Sequence, residues 1–266
     1  MSDAETFFRR GWIAFEADAL TTAWARAARP VAAALMAPGV ARESDIRCDG
    51  TWFAGVNVFP NGPDGSVPSE DVPPLAGAAV AFVRDVLGLE GFAWDWAQVS
   101  ACYPGYPRQD SEESEANHRY RVLRDAAHVD GLLRDADRRR TLGETHGFIL
   151  GLPLVEAAQG AAPFVVWERS HEVMRAAFRD RLSGIDPADW GREDITETYH
   201  AARRAAFDTC PRVEITAPPG GAYLVHRLAL HGVAPWRAGE GPPRLVAYFR
   251  PDPYPDASPA WWLEAP

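Results

Sequence analysis

The chain has 266 residues, 47% of them hydrophobic, which is enough to bury a sizeable core in one elaborated domain and predicts an ordinary soluble globular protein. Its 27 basic residues face 37 acidic ones, a formal net charge of −10 that opposes wrapping a phosphate backbone and argues against a nucleic-acid partner. All of the basic residues are arginine, so Schiff-base chemistry and phosphate-loop or kinase-type lysines are excluded.

The opening MSDAETFFRRGWIAFEADAL has no basic head followed by an apolar stretch, and the most apolar run, Val31 to Val40, is broken by proline and too short to span a bilayer. A cytoplasmic protein, neither exported nor membrane-embedded, is the expectation. The cysteines, Cys48, Cys102 and Cys210, are odd in number and widely spaced, and read as reduced buried thiols. From Ala4 to about Met36 apolar residues recur at helical spacing, with Gly11 between two segments. Within Cys48 to Pro74 only TWFAGVNVF alternates enough for a strand. Pro74 marks the expected start of a further helix, LAGAAVAFVRDVLGL, with Gly88 as its stop.

After Gly91 the character changes. FAWDWAQVSACY, RYRVLRDAAHVDGLL, THGFILGLPLV, APFVVWERS, RVEIT, GAYLVHRLALHG and PRLVAYFRP are short, partly alternating runs divided by turn residues and predict a sheet-rich core. A helical insert from about His171 to Phe207 interrupts them. The whole predicts a mainly β barrel or sandwich with flanking helices. A single domain over 1–266 is expected, with an N-terminal helical region of about 4–90 buttressing a β core of about 92–250.

Nucleophile elbows, a zinc-protease helix and a dinucleotide-binding turn are all missing from the sequence. His128-Val129-Asp130 lies in a run that reads as strand, where residues i and i+2 share a face, so an imidazole and a carboxylate converge. GGAYLVHRLALHG offers His226 and His231 as a third ligand. Two neutral imidazoles and one carboxylate form the facial triad of non-haem iron(II) oxygenases, with three positions open. Arg244, thirteen residues after His231, carries a guanidinium fork suited to the far carboxylate of a 2-oxo diacid.

With these residues in view, the chain resembles the phytanoyl-CoA dioxygenase-like family of iron(II)- and 2-oxoglutarate-dependent oxygenases. FFRRGWIAFEADAL resembles the family's entry helix, glycine and strand, and AAHVDG its first metal motif. LPLVEAAQGAAPFVVWERSHE resembles a strand, turn and strand ending in Ser-His, and PGGAYLVHRLALHGVAPW with GPPRLVAYF the segment carrying the distal histidine and the co-substrate arginine. Alignment at Gly220 puts His231 at the ligand position and His226 at an earlier one. The resemblance covers roughly Phe7 to Phe249. It implies a double-stranded β-helix (jelly-roll, cupin-like) core, Fe(II) held by His128, Asp130 and His231, Arg244 as the 2-oxoglutarate anchor with Arg250 as rival, and dioxygen as oxidant. The activity implied is oxidation of a small metabolite with release of succinate and CO2. Because halogenating members carry a small residue where Asp130 stands, hydroxylation or a related oxidation is preferred.

Two other readings stand beside it: a non-catalytic ligand-binding module on the same fold, and a cupin-like metal enzyme that does not use 2-oxoglutarate. Of the remaining residues, His171 reads as structural, with Ser170 capping the next helix, and His146 fits the cavity and a sheet edge equally. Arg134, Arg138, Arg139 and Arg140 read as a solvated loop with a substrate role as the alternative, and Tyr199, His200, Arg203 and Arg204 as a surface helix with a lid as the alternative.

Overall fold

The computed structural model describes residues 2–68 and 72–264. Helix α1 (Asp3–Arg10) opens with a reciprocal cap: Glu5 N donates to Ser2 Oγ (3.2 Å) and Ser2 N to Glu5 Oε2 (2.8 Å). Gly11, at φ +80°, ends it, and the chain enters β1 (Trp12–Phe15) before α2 (Ala19–Leu35). The N-terminal region is therefore helix, strand and helix. After a 3-10 turn, Glu43–Asp45, come β2 (Ile46–Arg47) and β3 (Trp52–Gly55), the latter shorter than the predicted run because the chain turns at Asn57, φ +51°.

Helix α3 (Ala78–Asp85) starts four residues after Pro74, where the sequence placed its beginning. The reason is local. Gly77 takes φ +122°, outside helical space, and Asp18 Oδ2 accepts from Ala78 N (3.1 Å) while Oδ1 accepts from Leu20 N and Thr21 N (both 2.9 Å). One carboxylate thus caps α2 and holds the first turn of α3.

Strand β4 (Gln98–Cys102) precedes α4 (Glu115–Arg124), then the hairpin β5 (Leu132–Arg134) and β6 (Arg140–Leu142), and strands β7 (Phe148–Pro153) and β8 (Phe164–Trp167). The run RYRVLRDAAHVDGLL is not one strand: residues 119–124 finish α4. Ser114 Oγ caps that helix at Asn117 N (3.3 Å), Glu115 lies in its first turn and Arg121 and Arg124 in its last, and Asp125 and Ala126 at φ +53° and +52° stop it. The predicted insert is α5 (Ser170–Leu182) and α6 (Thr196–Thr209), followed by β9 (Arg212–Ile215), β10 (Ala222–His226), β11 (His231–Val233) and β12 (Arg244–Phe249).

The strands form a seven-stranded sheet, β1-β10-β7-β12-β4-β3-β2, and a three-stranded sheet, β11-β8-β9, every neighbour antiparallel. This is the jelly-roll core with flanking helices that the sequence predicts. Strand alternation divides the side chains. On β12, Val246 and Tyr248 point into the space between the sheets with Phe164, Tyr223 and Trp12, while Leu245, Ala247 and Phe249 join α1, α2 and α3 on the other face. Phe249, fully buried edge-on to Trp24 and Trp94 at 5.7 and 5.1 Å, contributes about 2–3 kcal/mol by burial. Helices α5 and α6 pack on the outer face of the small sheet through Met174, Phe178, Tyr199 and Ala206, with Trp262 beneath them. Cys48 and Cys102 are buried free thiols and Cys210 is half-buried. Among the described residues no helix is long and apolar enough to cross a membrane.

Gly151 on β7 lies opposite both Tyr223 and Tyr248, and a Cβ there would fall within the Tyr223 ring. Replacing it with alanine should lower stability by about 1–3 kcal/mol, as overpacking does. Urea unfolding of Gly151→Ala against the parent chain measures this; equal midpoints would refute the packing account.

Candidate metal centre

His128 lies outside the named strands, yet it pairs with the first residue of β11: His128 N donates to His231 O (2.8 Å) and His231 N to His128 O (3.0 Å). Each ring then satisfies its own Nδ1 on the carbonyl two residues back, His128 on Ala126 O and His231 on Ala229 O, both at 2.9 Å. A carbonyl only accepts, so each Nδ1 carries a hydrogen, and in the neutral ring each Nε2 keeps its lone pair. Both lone pairs face Asp130, with His128 Nε2 3.1 Å from Oδ1 and His231 Nε2 3.5 Å from Oδ2. The three ligand atoms lie within 4.8 Å of one another.

Two lone pairs and a carboxylate this close repel unless a proton or a cation lies among them. His231 Nε2 is buried with no hydrogen-bond partner, an orphan that a metal would satisfy. Adjacent donors of an octahedral ion, each at about 2.1 Å, lie about 3 Å apart, close to the two separations found. The donor set therefore fits a metal of the iron(II) type. Glycine is required just past Asp130, since a Cβ on Gly131, φ +84°, would strike the Glu144 carbonyl.

Asp130 is further held by Arg250, whose Nε donates to Oδ2 at 2.6 Å while its Nη1 donates to Gln98 Oε1 at 2.8 Å. Burial works against the charge of Asp130, but Arg250 and His231 outweigh it and keep the carboxyl well below the usual carboxylate range. Phe164 lies flat on the His231 ring at 5.5 Å, and Trp52, Ser100, Tyr106 and Tyr248 complete a cavity of about 260 Å³ that opens on the ligands.

Arg244 is not in the wall of that cavity. It begins β12 on the same inward face, 6% exposed, with Nη2 donating to Tyr248 Oη (2.6 Å) and Tyr223 Oη (3.2 Å) and Nη1 without a partner. Tyr248 stands between the two, since it lines the cavity and bonds Arg244. No carboxylate contacts this guanidinium among the described residues. Arg250, six residues on and facing the same way, is the arginine beside the candidate ligands. The pairing with Asp130 and the two tyrosine hydroxyls were missed in the sequence; period-two spacing from Arg244 was the available signal.

The other histidines lie elsewhere. Ser170 does not cap α5: its Oγ accepts from Leu230 N (2.8 Å), because Arg169 at φ +68° is the residue preceding the helix. His171 donates to Phe8 O (3.0 Å) and ties α5 to α1, and a Cβ on Gly11 would meet its ring. His226 accepts from Arg175 Nη2 (2.9 Å) away from the cavity. None of the cavity's lining residues comes from α5 or α6, so these helices are a packed outer layer rather than a lid.

No known family profile matches the sequence, and no curated protein does. Solved structures do. The epimerase SnoN, in complex with Fe3+, alpha ketoglutarate and nogalamycin RO, aligns over 92% of this chain and 80% of its own at TM-score 0.51 and 17% identity. The non-heme alpha ketoglutarate dependent carbocyclase SnoK from nogalamycin biosynthesis aligns over 95% and 84% at TM-score 0.50 and 10% identity. At these identities the likeness shows the fold.

His146, 3% exposed behind the metal ligands, is pushed down to about 4, by burial first, with Arg250 and His231 adding to it against the attraction of Asp130. The unfolded chain then binds the extra proton between about pH 6.5 and 4. Stability is full above that window and falls as pH drops through it, by up to about 3 kcal/mol. Unfolding midpoints from pH 7.5 to 4 should decline less steeply in His146→Gln; parallel slopes would refute this assignment.

Proposed function

We propose that the chain is an iron(II)- and 2-oxoglutarate-dependent oxygenase that hydroxylates a small molecule, with His128, Asp130 and His231 as metal ligands and Arg244 as the anchor of the co-substrate's far carboxylate. The observation that carries this reading is the convergence of two Nε2 lone pairs, each fixed by an Nδ1 bond to a carbonyl, on one carboxylate. The fold is shared with the alpha ketoglutarate dependent carbocyclase SnoK and with the epimerase SnoN, solved with Fe3+ and alpha ketoglutarate, which supports the class.

Iron(II) bound there supplies dioxygen activation coupled to decarboxylation of 2-oxoglutarate to succinate and CO2. The chain's part is geometric. The Ala126 and Ala229 carbonyls orient the imidazoles, and Arg250 occupies Asp130 Oδ2, leaving Oδ1 toward His128. Phe164 and Tyr248 lay aromatic ring surface in the cavity wall beside these residues. Arg244 supports the anchor role as a buried cation that makes no ion pair among the described residues and whose Nη1 has no hydrogen-bond partner, whereas Arg250 is already paired with Asp130. Tyr223 and Tyr248 would turn their hydroxyls to the same carboxylate.

Anaerobic addition of iron(II) and then 2-oxoglutarate should produce the weak visible metal-to-ligand charge-transfer band of the chelate. His231→Ala should abolish it, and Arg244→Leu should weaken co-substrate binding by about a hundredfold or more. If Arg244→Leu binds 2-oxoglutarate as the parent does, the anchor is Arg250. If iron binds and no band forms, a cupin-like enzyme without 2-oxoglutarate replaces the proposal. Asp130→Ala should retain the fold by circular dichroism and lose 2-oxoglutarate turnover; full succinate formation in that variant would overturn the metal assignment.

A further inference from the structure

The β5-β6 hairpin breaks a simple rule of sheets. Its register sets Arg134 directly opposite Arg140, two like charges on neighbouring strands, an arrangement that destabilises a hairpin. Helix α6 adds a third. Arg140 and Arg203 both lie over the Tyr199 ring, at 5.0 and 5.2 Å, and Arg203 also lies 4.8 Å over Tyr120. Among the described residues, none of the three arginines makes an ion pair. Their neighbour Arg139 shows the ordinary arrangement, pairing with Asp135 at 2.9 Å and Asp137 at 3.7 Å.

The cluster is partly withdrawn from water: Arg140 and Arg203 are half-buried and Tyr199 is fully buried, its hydroxyl without a hydrogen-bond partner. Burial and the charges of Arg203 and Arg134 push Arg140 down from its ordinary value. His200, on the same helix, adds a polar ring, and Glu197 is the carboxylate whose charge reaches it. In a chain of net charge −10, three arginines brought together from β5, β6 and α6 without an ion pair leave positive charge that an anion can meet. Arg140 and Arg203 are held over tyrosine rings by cation–π attraction, and a guanidinium keeps N–H donors suited to phosphoryl oxygens.

We propose that Arg134, Arg140 and Arg203 form a binding site for the phosphoryl group of a small molecule, outside the metal cavity. The site adjoins the metal motif through one hydrogen bond, Tyr120 Oη to Ala127 O at 2.6 Å, next to His128. None of its three arginines lines the cavity itself. The inference stands whether or not the centre holds iron.

The test is calorimetric titration of the full-length, metal-free protein with inorganic phosphate, pyrophosphate and adenosine diphosphate. Pyrophosphate should bind, about tenfold more tightly than phosphate, because several forks share it. Arg140→Gln and Arg203→Gln should each weaken pyrophosphate by about tenfold, and Arg139→Gln should leave it unchanged. No pyrophosphate binding by the parent chain, or equal binding in Arg140→Gln and Arg203→Gln, overturns the site. Should those variants misfold, exposed Arg134→Gln takes their place, with at least about threefold weakening expected and none overturning the proposal. A purely structural stacking role makes a separate forecast: Arg140→Gln would melt earlier without ligand and still show the pyrophosphate-induced rise in Tm. Adenosine diphosphate binding as well as pyrophosphate identifies an ester-borne phosphoryl group, and its rejection identifies a free ion.

Discussion

Two backbone hydrogen bonds between His128 and His231 hold the candidate centre together. His231 is fixed by the small sheet, where it pairs with Val166 of β8, and His128 hooks onto the other edge of the same short strand. Without that bridge the segment 125–131 would be a loop between a helix and a hairpin, and Asp130 would have no reason to face the imidazoles. Gly232 shows how close the approach is, since a Cβ there would meet the Asp125 carbonyl. Asp125 in turn is tied to β9 by Arg212, at 2.7 and 2.9 Å. The three candidate ligands are thus positioned by main chain and by an ion pair behind them.

The second constraint is charge inside the sandwich. Period-two alternation along β12 sends both Arg244 and Arg250 inward. Arg250 finds Asp130 and Gln98, while Arg244 finds only the hydroxyls of Tyr223 and Tyr248. A buried guanidinium solvated by phenols is costly, and Gly151 is the residue that leaves room for those phenols. An anionic ligand would complete this environment. The β5-β6 hairpin repeats the pattern at the surface, where arginines again lie together without carboxylates. In both places positive charge is left without a carboxylate partner among the described residues.

Much of this was legible beforehand. Alternation marked β7, β8, β10 and β12, glycine marked the end of α1 while α3 stops at Asp85, short of the expected Gly88, and His-x-Asp with a distant histidine marked the candidate ligands. The strand assignment of residues 119–124 failed because capping by Ser114 and the macrodipole fit of Arg121 and Arg124 outweigh a weak alternation. The start of α3 was misplaced because its cap, Asp18, lies sixty residues earlier and no local pattern reveals it. The pairing of Arg250 with Asp130 was missed for the same reason: it is a contact between segments far apart in the chain.

The sequence by itself determined the class of elements, the jelly-roll alternation and the identity of the residues able to bind a metal, because these follow from side-chain chemistry and from periods of 2 and 3.6 residues. Only the tertiary structure decided which arginine sits beside the ligands and which lies behind the tyrosines, and that Arg134, Arg140 and Arg203 share one place. Those outcomes depend on strand register and on which helix packs over which hairpin. Such choices minimise buried charge and void volume over the whole molecule, and no short stretch of residues encodes them.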